Sequence, residues 1–164
     1  MNTQAHTGNG ARQAGLRAQL ASAGALRFLL AGHAIFTVEN PRTGGRFTYR
    51  IMRAPDNDER RSRRLWFVSV LVGPDNVANY AYAGMLPEVG GEAGRFTMTR
   101  GSKIVGDAPS VIAFRWVWDR LRDGRSVEPA VLWHEGRCGC CGRRLTVPES
   151  IASGLGPVCA GRAA

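Results

Sequence analysis

The chain has 164 residues, with 22 Lys and Arg against 13 Asp and Glu, a formal net charge of +9 at pH 7. That length suits one domain with a small appended module. With neither a membrane-length apolar run nor the basic start and apolar stretch of a secretory signal, it reads as a cytoplasmic protein without membrane partners. The positive excess favours a polyanionic partner, nucleic acid first. Arg supplies all of it except Lys103 in a chain rich in Ala and Gly, so part of the bias reflects coding habit.

Residues 1–21 hold Gln, Asn, Gly, Ala and Thr without an aromatic side chain, too little to pack, and are expected to form a disordered or frayed arm. Arg12 and Arg17 make it a solvated leader or a basic arm along phosphates. An α+β domain is expected over 22–132. Leu26, Phe28, Leu29 and Leu30 suggest a helix ending near Gly32, and His33 beyond it reads as structural. Ile35–Glu39 and Arg46–Met52 flank a turn-rich Asn40–Gly45 and read as a hairpin. In its second strand Phe47, Tyr49 and Ile51 alternate with Arg46, Thr48 and Arg50, a period that sends one face inward and the basic face outward.

Ala54–Arg64 is a polar loop, first acidic (Asp56, Asp58, Glu59), then basic (Arg60, Arg61, Arg63, Arg64). Leu65–Val72 is an apolar run consistent with a buried central strand. Tyr80–Met85 and an edge-like Arg95–Thr99 complete a mostly antiparallel sheet of four or five strands. From Pro109 the period becomes helical: Val111, Phe114, Val117, Trp118 and Leu121 share one face, Arg115 and Asp119 lie on the other, and Gly124 stops the helix. This helix is expected to cover the sheet. A short strand, Ala130–Trp133, feeds into the last segment.

That segment, residues 133–164, holds all four cysteines. Cys138 and Cys141 are spaced C-x2-C, His134 stands four residues ahead, and Cys159 returns eighteen residues later. Such a set can supply the four N or S ligands of a tetrahedral zinc ion. His134, Cys138, Cys141 and Cys159 are therefore the expected ligands of a structural Zn2+, with Cys140 as the alternative to His134. Gly142 follows the second cysteine, where a knuckle turn asks for positive φ. Arg137, Arg143 and Arg144 would offset the negative charge of the thiolates. The aliphatic content of this module is too small for a core of its own, so metal would supply folding energy. Disulfides fit poorly without a secretory context, and no cysteine is marked as a nucleophile beside His134.

The run Gly136–Arg162, C-x-x-C-G-R-x-L-T, then P-E-S-I, then G-x-G-P-x-C, resembles the C-terminal signature of the domain of unknown function 6011 family, which is common in phages and other mobile elements. The resemblance implies a small zinc-binding module of treble-clef or ribbon type and no known reaction. Cys140 stands where the pattern tolerates other residues.

Together these readings describe a zinc-finger-like, nucleic-acid-associated protein, encoded by a phage or mobile element, that binds rather than catalyses. Arg46, Arg50, Arg60, Arg61, Arg63, Arg64, Arg137, Arg143 and Arg144 are its candidate contacts to DNA or RNA; the alternative is a solvated basic face. Phe47, Tyr49, Tyr80 and Tyr82 are either a stacking surface for bases or core. No phosphate-cradling loop, catalytic spacing or small-molecule substrate is evident: Gly101-Ser102-Lys103 lacks the preceding glycine. The rival reading is a protein-interaction module that docks on and inhibits a host complex, for example a nucleic-acid-guided defence machine.

Overall fold

Alternation of burial along two central strands, and at the middle of the strand between them, sets the architecture. In the computed structural model, which describes residues 17–55 and 63–162, β2 (His33–Asn40) buries Ala34, Phe36 and Val38. β3 (Gly45–Arg53) buries Tyr49 and Ile51, and β4 (Leu65–Leu71) buries Trp66, Val68 and Val70. β5 (Tyr80–Val89) follows β4 antiparallel, and the two-residue β6 (Glu92–Ala93) closes that edge. At the other edge, β7 (Val131–His134) pairs with β2 on one side and β1 (Ala18–Leu20) on the other. The result is one antiparallel sheet in the order β1-β7-β2-β3-β4-β5-β6.

The sheet has seven strands, where four or five were expected. Ala18–Leu20 belongs to it although it lies within the expected frayed arm, because Gln19 and Leu20 find backbone partners in Trp133 and Leu132. Arg95–Thr99 is not a strand. Phe96 turns into the core, and only Thr97 bridges back to Met85. Gly84 permits that approach: a Cβ there would lie 2.6 Å from the Thr97 carbonyl oxygen.

The helix α2 (Pro109–Arg122) covers the buried face as its stripe predicts. Val111, Phe114, Val117, Trp118 and Leu121 are all buried. The Phe114 ring stands 5.2 Å from Tyr49 and 5.0 Å from Phe96, centre to centre. The Tyr49 hydroxyl donates to the Ser110 carbonyl at 2.7 Å, which provides a partner for a polar group deep in the core; burial pushes its pKa upward. Phe47 also packs against this core. Of the four candidate aromatics, Phe47 and Tyr49 are therefore core.

A short helix α1 (Ser22–Leu29) ends three residues before Gly32 and carries Phe28, the residue on which the C-terminal segment docks. The rings of Phe28 and His134 lie 5.4 Å apart. Cβ atoms built on Gly139 and Gly154 would fall 2.6 and 2.4 Å from the Phe28 ring, so both positions need glycine for this contact. The Gly139 carbonyl accepts from the His33 amide at 2.6 Å, and the Gly139 amide donates to Gly154 at 2.9 Å. Residues 133–162 thus dock directly on α1 and β2, and the strand β7 runs across the boundary expected at 132/133.

Candidate metal centre and arginine-lined cleft

The C-terminal segment is built as a knuckle followed by two short helices, α3 (Pro148–Ser153) and α4 (Pro157–Arg162). Arg137 and Arg144 bridge as a minimal hairpin around the C-x2-C turn. Gly142 adopts φ 72° there, the left-handed conformation the knuckle requires. Cys159 lies in α4, which brings it back over the pair. The ligand atoms of Cys138, Cys141 and Cys159 all lie within 4.8 Å of one another, so these three could hold a metal ion.

The chemistry of the donors fits a cation. The amide of Gly156 donates to the Cys138 sulfur at 3.4 Å. Burial pushes the Cys138 thiol up, but the amides of Gly156, Cys141 and Cys140, together with the Cys141 thiol, outweigh it and bring its pKa down to about 7. Cys159 moves the other way, to about 12, through burial, the neighbouring thiols of Cys141, Cys140 and Cys138, and the Cys138 thiolate. Three thiols in such proximity cannot all ionise without a positive charge between them, and a bound cation supplies it.

His134, one of the four expected ligands, lies outside this mutually close set. Its side chain shares the buried face of β7 with Leu132 and is 1% exposed. Nε2 donates to the Ile151 carbonyl at 2.8 Å, and Nδ1 accepts from the Gly136 amide at 3.2 Å, so both ring nitrogens are committed to holding the module together. Burial lowers its pKa, with the Ile151 bond acting in the opposite sense. Cys140 lies beside Cys159 without joining the mutually close set.

The candidate nucleic-acid contacts are dispersed. Arg46 pairs with Glu39 at 3.1 Å and Arg64 with Glu88 at 3.2 Å. Arg50 lies over the Tyr80 ring, 4.3 Å from its centre, and its Nε is buried without a hydrogen-bond partner among the described residues. Arg63, Arg143 and Arg144 are exposed, and Arg137 donates to the Gly142 carbonyl at 3.2 Å. Arg60 and Arg61 lie outside the described residues, as do Arg12, Asp56, Asp58 and Glu59. Tyr80 and Tyr82 face away from the α2-covered core; Tyr82 is flanked by Thr99 and Gly101.

The structure also assembles a cleft that sequence reasoning missed. A cavity of about 770 Å3 opens where the sheet domain meets the C-terminal module. Arg27 of α1, Arg53 of β3, Arg64 before β4, Arg122 of α2 and Arg162 of α4 line it, with Glu92 the one acidic residue of the lining among the described residues. Leu26, Leu30, Ala31, Trp66, Ala93 and Trp118 supply its apolar surface, and Cys140 its edge toward the metal centre. Arg27 also donates to the Ala160 carbonyl of α4, tying two walls together. These arginines come from five separate elements and have no sequence motif; only the fold gathers them.

Among the described residues no helix is long and apolar enough to cross a membrane. The fold and site define an α+β protein whose antiparallel sheet carries a C-terminal cysteine cluster with metal-binding geometry. Its residues 133–164 match the model of a family of unknown function, DUF6011, over the segment on which the resemblance was drawn. No curated protein and no solved structure matches the chain.

Proposed function

We propose that this is a small zinc-binding protein that associates with nucleic acid and acts by binding rather than catalysis. The carrying observation is the arginine-lined cleft at the junction of sheet and module. Among the described residues, Glu88 and Asp123 pair with Arg64 and Arg122, and Glu92 is the acidic member of a lining that holds five arginines. Arg64 and Arg122 retain further N–H donors beyond these partly exposed pairs, and phosphate accepts from guanidinium as carboxylate does. The overall charge of +9 supports the same partner.

Zn2+ is the ion that three thiolates with this spacing favour. The knuckle hairpin followed by a helix bearing the third sulfur suits a treble-clef-like module, with the fourth position left to water or to Cys140. In this reading the ion supplies folding energy and no reaction step. Arg137, Arg143 and Arg144 around the knuckle extend the basic surface.

The test is a fluorescence-anisotropy titration of the metal-loaded protein with DNA and RNA oligonucleotides across a salt series. Binding at micromolar concentrations or below near physiological salt is expected, with log affinity falling linearly against log salt as counterions are released. Loss of all binding by physiological salt would remove nucleic acid as the partner and leave docking on a host protein as the reading to pursue.

A further inference from the structure

We infer that the occupant of the cleft is a single strand of nucleic acid, not the side of a duplex; the inference rests on reading the cleft as a nucleic-acid site. Shape is the first argument. A protein that reads duplex DNA commonly inserts a convex element, a helix or a β-ribbon, into the major groove. Here the arginines surround a hollow of about 770 Å3, within the range of pockets that enclose a ligand. A duplex carries its phosphates on the outside of a wide cylinder and cannot bring them into such a hollow. A flexible strand can enter it and meet all five arginines.

The distribution of polarity is the second argument. The indole N–H of Trp66 is already committed to the Leu30 carbonyl, and that of Trp118 to the Gly94 carbonyl, both at 3.0 Å. Trp66 is 4% and Trp118 0% exposed, so they back the cleft without opening onto it. Its accessible apolar surface is that of the partly buried Leu26, Leu30 and Ala31, while the guanidiniums and, among the described residues, the Glu92 carboxylate supply its charges. The matching ligand is apolar on one side and anionic on the other, as an unpaired nucleotide is, with its base against the aliphatic wall and its phosphate toward the arginines. Glu92 opposes a phosphate but accepts from a base amino group.

The test compares a labelled single-stranded oligonucleotide with the duplex of the same sequence on the metal-loaded full chain near physiological salt. The single strand is expected to bind at least about tenfold tighter, and Arg122→Gln with Arg162→Gln to weaken it by about tenfold or more and flatten its salt slope by about 1.4. Arg162→Gln alone, at an exposed position in the last turn of α4, is read in parallel as the variant least able to disturb folding, and metal content checks both. Equal or tighter duplex binding that the paired variant still weakens would overturn the single-strand assignment while keeping the cleft as the site. Preference for single strands unaffected by either variant would overturn the cleft as their site. Absence of binding to every nucleic acid would bring down the underlying reading and this inference with it.

Discussion

At the scale of single residues, the cysteines and His134 divide the work of the C-terminal module. Cys159→Ser is expected to abolish stoichiometric metal binding, measured as metal per chain by atomic spectrometry, because two remaining thiols make a poor site. Cys140→Ser should leave the stoichiometry near that of the parent. His134→Ala is expected to keep the metal but lower stability by about 1–3 kcal/mol, since the Ile151 carbonyl and the Gly136 amide lose their partner. A folded His134→Ala chain that had lost its metal would restore the histidine as a ligand. Because burial depresses the His134 pKa, its contribution is present above the unfolded value, about 6.5, and is lost as pH falls below it. The stability gap between parent and His134→Ala should therefore narrow on acidification. The C-x2-C pair and the returning cysteine were legible in the sequence because spacing alone lets them reach one ion. The direction of His134 follows strand period rather than proximity in sequence to the cysteines: in Val131-Leu132-Trp133-His134 it shares the inward face with Leu132.

At the scale of elements, the docking of the module depends on two glycines closing on Phe28. Gly154 adopts φ 71° at the end of α3 and leaves no room for a Cβ beside the Phe28 ring. Gly154→Ala combines a steric clash with a strained backbone and should destabilise the protein by roughly 1–3 kcal/mol in urea unfolding. Gly161→Ala in α4, where an added Cβ meets nothing within 4 Å, is the control and should be neutral or mildly stabilising. Equal effects of the two substitutions would refute the Phe28 contact as the docking feature. The long strands and α2 were readable because apolar period and length agree in them, as at Phe47, Tyr49 and Ile51 or along Val111–Leu121. Strands β1 and β6, of three and two residues, carry too little pattern to be seen. The insertion of β7 between β1 and β2 is a non-local pairing that no window of sequence contains.

For the whole molecule, the metal centre and the cleft are parts of one structure. The helix α4 carries Cys159 toward the thiol cluster and Arg162 toward the cleft, and its Ala160 carbonyl receives Arg27 from α1. Cys140, between two members of the cluster in sequence, lines the cleft itself. The small core around Cys138, Leu145 and Leu155 is too slight to hold α4 without additional folding energy. Stripping the metal should therefore remove one wall of the cleft while leaving the sheet and α2 in place. Chelator-treated protein is expected to keep most of its far-ultraviolet circular dichroism, yet to bind nucleic acid about tenfold or more weaker, with a shallower salt slope as the Arg162 contact is lost. Restoring the metal should restore both affinity and slope, and Arg162→Gln should respond less to metal removal than the parent because it lacks that contact already. Metal-free protein that binds with undiminished affinity and the same slope would separate the two sites, leaving the module a purely structural appendage.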